Sequence, residues 1–155
     1  MNQARIYAVK NRISEALLSK DGPTADSLVS DADGRVARLA GRIGAFVDGK
    51  VEHLSHWAEM PEDALFSGCQ AIGEPAMNIA EVAEAAGLDA VGSVARGLCV
   101  MVDGLVSRGI WHTDALRVHL RALVVVHAQS GKQDPDNLRI VEELRALRAA
   151  LGFTD

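Results

Sequence analysis

Apolar residues recur at three- and four-residue intervals along almost the whole chain, the spacing of one face of an α-helix. Ile6, Val9, Ile13 and Ala16/Leu17 predict a first helix over 4–19, stopped by Asp21-Gly22-Pro23. Thr24 is placed to cap the next helix. Leu28, Ala32, Val36, Leu39, Ile43, Phe46, Leu54 and Trp57 form a nearly unbroken seam and predict a long helix over 25–59. Gly34, Gly41, Gly44 and Gly49 lie inside it, each costing about 1 kcal/mol relative to alanine. The pattern leaves two readings of these glycines open: the helix bends, or a neighbour approaches closely.

Met60-Pro61-Glu62-Asp63 is a helix start, with proline expected at the first helical position and acids in the first turn. A third helix is predicted over 61–86, with Leu65, Cys69, Ile72, Ala76, Ile79 and Ala83 on one face. Gly73 and Pro75 predict a kink, because proline removes a backbone donor and crowds the preceding turn. A fourth helix follows over 88–108, closed by Arg108-Gly109. Thr113 is expected to cap a fifth over 114–129, on which Leu116, His119, Leu120, Leu123 and His127 share a face. Asp134-Pro135 opens a sixth, whose stripe is Ile140, Leu144, Leu147 and Leu151 and whose stop is Gly152. Long helices joined by short turns over 61–151 predict an antiparallel up-down bundle. The expected fold is therefore all-α: one domain over 1–155, with N-terminal helices in 1–60 and a four-helix core in 61–152.

Composition agrees with this pattern. Ala, Leu and Val dominate and aromatic residues are only 4%, which suits helix packing rather than a sandwich or barrel. At 155 residues the chain can bury roughly 70% of its unfolded surface. The net charge is −5 and lysine and arginine are not clustered, so no nucleic-acid partner is expected. Cys69 and Cys99 sit among apolar residues and read as core positions in a reducing compartment. The polar N-terminal stretch does not read as a signal peptide. The longest apolar stretch, Leu120 to Ala128, is far short of a membrane span. A cytoplasmic location with no membrane contact is expected.

Few residues carry candidate chemistry. His53 and His56 are one helical turn apart but lack a third ligand beyond Glu52 or Glu59, so a solvated face is expected and no metal. His112 falls at a turn, and His119 and His127 read as hydrogen-bonded packing residues. Glu74 and Asn78 share a helix face one turn apart. Such an acid and amide can orient a water for in-line attack on an acyl phosphate. Glu81 and Glu84 form a further pair of acids. There is no Gly-rich phosphate loop, zinc spacing or serine nucleophile motif, and no cofactor is expected.

The stretch from Met77 through Gly87-Leu88, followed by Leu98-Cys99, reads as a helix, a sharp glycine turn and a returning helix. In that layout it resembles the centre of a histidine phosphotransfer domain. Matching the turn glycine to Gly87 places that family's phosphoacceptor histidine on Met77, its lysine on Ala80 and its motif glycine on Glu81. The chain as a whole resembles the alphaproteobacterial chemotaxis protein CheE family. That likeness rests on Ala8-Val9-Lys10-Asn11-Arg12 with Ala16-Leu17, the Gly87-Leu88 turn, Leu98-Cys99, and Trp111-x5-Arg117-Val118-His119-Leu120-x-Ala122-Leu123. The resemblance implies a small accessory protein of a chemotaxis or two-component pathway. Methionine cannot form a phosphoramidate, so phosphate relay at position 77 is not expected, and His119 is the spare acceptor. Met77, Ala80, Glu81 and Glu84 are expected on an exposed face that docks the receiver domain of a response regulator. Two other readings stand beside this one: an acyl-phosphate phosphatase using Glu74 and Asn78, and a structural homodimer joined through the helix 25–59.

Overall fold

The computed structural model describes residues 24–130 and 135–153. The expected helix over 4–19 and the start residue Asp134 lie outside the described residues. Those described form five α-helices: α1 (Ala25–Ala58), α2 (Glu62–Val82), α3 (Asp89–Arg108), α4 (Thr113–Ala128) and α5 (Pro135–Ala150). A 3-10 turn, Ala83–Ala86, joins α2 to α3. No strand occurs among the described residues, so the all-helical class read from the apolar spacing holds.

Two compact units divide the chain between Arg38 and Leu39, inside α1. In the first, Thr24 caps α1 as expected: its Oγ1 accepts from Ser27 N–H at 3.2 Å. Leu28, Val29 and Val36 of this unit are exposed. The expected seam along α1 is therefore not one buried stripe. Only Val47, Val51, Leu54 and Ala58 of α1 are buried, while Leu39 and Phe46 also remain exposed. The glycines admit no close neighbour either. A side-chain carbon added at Gly41, Gly44 or Gly49 would meet nothing within 4 Å.

In the second unit α3 packs against α2, α4 and α5. Leu98 and Met101 of α3, Ile72 and Ile79 of α2, and Leu116 and Leu123 of α4 are fully buried in one core. Each such side chain contributes roughly 1.5–3 kcal/mol. The exposed ion pairs Arg121–Glu59 at 3.2 Å and Arg139–Glu143 at 2.9 Å contribute at most about 1 kcal/mol apiece. Apolar burial therefore decides the packing. By length and composition α3 could cross a membrane, but here most of its apolar residues are packed in or against the core, Val106 remaining exposed.

Several local expectations are corrected. Helix α2 continues through Pro75 and ends at Val82, with Ala83–Ala86 in the 3-10 turn rather than in the expected helix over 61–86. Pro61 stands at its N-cap, one residue ahead of the expected place, and the acids Glu62 and Asp63 occupy the first turn. Thr113 is not a cap but the first residue of α4, and His112 precedes it. The Thr113 hydroxyl is engaged elsewhere, accepting from Trp111 Nε1 at 2.8 Å and donating to Glu62 Oε1 at 2.5 Å. On α5 the buried residues are Asn137, Leu144 and Arg148, while Ile140, Leu147 and Leu151 are only half-buried. The Arg148 guanidinium lies against Gly97 of α3, which turns this polar position inward. After Gly152, at φ 78°, Phe153 folds back and is buried over Gly104.

The turn that positions α2 against α3 is the predicted one. Gly87 adopts φ 73°, a left-handed conformation that a side chain would strain. Its N–H bonds Glu84 O at 3.0 Å and Leu88 N–H bonds Ala83 O at 3.0 Å, which closes the helix end.

Farther along α2, the Trp57 ring of α1 lies directly over Gly68. A methyl group there collides with rigid ring carbons rather than a flexible tip. Gly68→Ala is expected to destabilise the protein by about 1–3 kcal/mol, read from the midpoint of urea unfolding. An unchanged midpoint would mean that the indole swings aside freely.

Candidate functional site

One period of α2 explains both of its faces. Ile72, Ala76, Ile79, Ala80 and Ala83 are buried, and Glu74, Met77, Glu81 and Glu84 are exposed. The exposed positions advance by three, four and three residues, so Glu74, Met77 and Glu81 lie on one stripe of α2, which Glu84 continues into the 3-10 turn. Three of the four expected docking residues, Met77, Glu81 and Glu84, belong to this stripe. Ala80 does not: it is only 6% exposed. It stands one turn beyond Ala76, where the inward arc is two residues wide. Its place on the outer stripe is taken by Glu74, which the sequence singled out for different chemistry.

Met77 is 49% exposed and sits at the lip of an open groove between α2 and α3. This groove, about 420 Å³, is lined by Gln70, Gly73, Glu74, Met77, Cys99, Val102, Asp103 and Val106. An adjoining recess of about 430 Å³ shares Gln70 and Val106 and continues past Phe66 to Ile110 and Trp111. Phe66 is 63% exposed and stacks edge-on against Trp111 at 5.2 Å. The surface is therefore apolar along its floor, with the acids Glu74 and Asp103 at its rim. A third recess, about 550 Å³, lies at the start of α4 around Trp111, Thr113 and Glu62. Met77 does not line it.

Along the stripe the charges differ. Arg96 of α3 reaches Glu84 at 3.3 Å, with both side chains more than half exposed. Glu81 makes no ion pair among the described residues. Glu81 is thus the acid most available to an outside cation. Asn78 Nδ2 donates to Glu74 Oε1 at 3.3 Å, so the acid and amide expected to act together are in contact at the rim.

Cys69 is buried in the core, as expected. Cys99 is only half-buried, on the floor of the Met77 groove, with its thiol donating to Gly73 O at 3.8 Å. Burial raises the pKa of both thiols.

The histidines do not form a site. His53 and His56 are exposed, and no cluster of three potential metal ligands occurs among the described residues. His127 Nε2 meets Asp48 Oδ1 at 2.8 Å. His119 is fully buried, so it offers no ring nitrogen to a phosphodonor and fails as the spare acceptor. Its Nδ1 lies 2.8 Å from Ala115 O; a carbonyl only accepts, so Nδ1 carries the proton. Nε2 then faces Arg148 Nη1 at 3.5 Å as an acceptor. This buried histidine–arginine contact was missed from the sequence. The only hint was Gly97 on α3, whose missing side chain makes room for the guanidinium.

No protein-family model, curated protein or solved structure matches this chain.

Burial, reinforced by the nearby Arg148 charge and opposed by the Ala115 bond, lowers the His119 pKa to about 4. In the unfolded chain it returns to about 6.5. Below that value the unfolded state binds a proton that the folded state refuses, so stability falls as the pH drops. The loss between pH 7 and pH 5 is expected to be about 2 kcal/mol. Urea unfolding at the two pH values should show a steeper loss for wild type than for His119→Gln. Equal slopes would remove His119 as the cause.

Proposed function

We propose that this chain is a non-catalytic docking module of a bacterial chemotaxis or two-component pathway. It binds the receiver domain of a response regulator in the manner of a histidine phosphotransfer domain, without the acceptor histidine. In this reading the helices over 61–152 form an antiparallel four-helix bundle with additional N-terminal helices, and the protein works in the cytoplasm. The observation that carries the proposal is Met77: half-exposed at the lip of an apolar groove, at the position where the resemblance puts the phosphoacceptor. A thioether cannot hold a phosphoryl group as an imidazole does, so the face binds without relaying phosphate. Its apolar centre excludes water, while the rim acid Glu74 and Glu81 farther along the α2 stripe select a cationic counterpart. Such a module occupies a receiver in competition with its phosphodonors.

A second reading draws on the Asn78–Glu74 hydrogen bond. An acid and an amide held together beside a docked receiver can position a water against its acyl phosphate, which makes the protein a phosphatase. Mixing the protein with phosphorylated receiver domains separates the two. Complex formation at an unchanged dephosphorylation rate supports docking alone. Accelerated phosphate loss that disappears in Glu74→Gln supports the phosphatase. In neither case does the protein acquire a phosphohistidine label.

Glu81→Arg is expected to weaken receiver binding at least tenfold, about 1.4 kcal/mol, while unfolding changes by no more than about 0.5 kcal/mol. Calorimetric titration against a panel of receiver domains measures this. Unchanged affinity would move the docking surface elsewhere, and no binding to any receiver would remove the proposal.

A further inference from the structure

Val29, Ala32, Val36, Leu39, Ile43 and Phe46 follow one another on α1 at alternating steps of three and four residues. That is the heptad seam of a coiled coil, sustained from Ala25 to Phe46 over about three heptads. Ile43 is partly buried against the core, while four of the other seam positions are largely exposed. Val29 is 60% exposed, Val36 64%, Leu39 55% and Phe46 45%. Gly34 and Gly41 stand on the opposite side of the helix, where Gly41 has no neighbour and Gly34 meets only the tip of Arg38. With these glycines the segment is a poor helix former by itself, so its helicity calls for a partner along the seam.

The charges choose the partner's orientation. The acids Asp26, Asp31 and Asp33 come first and the cations Arg35, Arg38 and Arg42 follow, with no other charged residue between Asp26 and Arg42. Two copies side by side in parallel would set acids beside acids and cations beside cations. Reversing one copy sets the acidic half of each along the basic half of the other. In that arrangement Val29 faces Leu39 of the second copy, Ala32 faces Val36 and Ile43 faces Ala25, so these seam positions meet apolar ones. We propose that two copies of this chain associate through α1 as an antiparallel coiled coil, with its two-fold axis crossing the seam between Ala32 and Val36. The contact is independent of the α2 face proposed for receiver docking.

Sedimentation equilibrium of the full chain tests association, and cysteine trapping tests orientation. The expected mass is twice the 16.5 kDa of one chain. Val36→Glu combined with Leu39→Glu should raise the dissociation constant at least a hundredfold, with the far-ultraviolet helix signal of the folded core retained. A monomeric wild type, including one whose seam is covered by its own residues 4–19, overturns the proposal, as does a dimer indifferent to the double substitution. For orientation, Cys69 and Cys99 are first replaced by alanine. Val29→Cys mixed with Leu39→Cys should then form a disulfide between copies on mild oxidation, and Val29→Cys alone should not. Linkage of Val29→Cys to itself would mean a parallel pair and overturn the arrangement. Failure of the mixture to link would overturn the register.

Discussion

The burial of α3 is the constraint from which the other packing choices follow. Most of its apolar side chains pack in or against the core it forms with α2, α4 and α5, Val106 remaining exposed. Close cover requires small residues on α3 itself. Gly97 leaves room for the Arg148 guanidinium, and Gly104 leaves room for the Phe153 ring. Through these two places α5 and the turn after it are drawn onto α3. Arg148 is thereby brought to Nε2 of His119, and a histidine that might have been a surface group becomes a neutral core acceptor. A helix of larger residues would bury more area of its own but hold its neighbours further away, and dispersion contacts fall off steeply with even a small gap.

The exposed face of α2 is the complement of that burial. Because α2 turns Ile72, Ala76, Ile79 and Ala80 toward the core, Glu74, Met77, Glu81 and Glu84 are left outward by the same helical period. Gly87 ends the stripe by reversing the chain, and α3 supplies the other wall of the groove through Val102, Asp103 and Val106. The groove is walled by two helices rather than a loop, which keeps the spacing of Met77 and the acids beside it constant.

Helix α1 shows one sequence pattern serving two surroundings. From Val47 onward its apolar residues are buried, while Leu28, Val29, Val36 and Leu39 are exposed. The hydrophobic period is the same in both halves. What differs is the burial of each half, and periodicity within one helix carries no information about that.

Helix number, order and stops among the described residues were legible from apolar spacing, because burying a helix face imposes that spacing and because Gly87, Gly109 and Gly152 mark left-handed ends that other residues resist. The stripe through Met77, Glu81 and Glu84 was legible for the same reason. Ala80 was misplaced because a helix packed by more than one neighbour buries a wider arc than a single seam, and an alanine tolerates either side. The inward turn of Arg148 and the engagement of Thr113 with Glu62 depend on partners 51 residues or otherwise far away in sequence. The sequence by itself thus determined which residues would be helical and which face of α2 would be polar, since both follow from local periodicity. Tertiary structure alone decided which half of α1 is covered, which polar groups are buried and where the groove beside Met77 opens, because each of these depends on contacts between helices that no local pattern encodes.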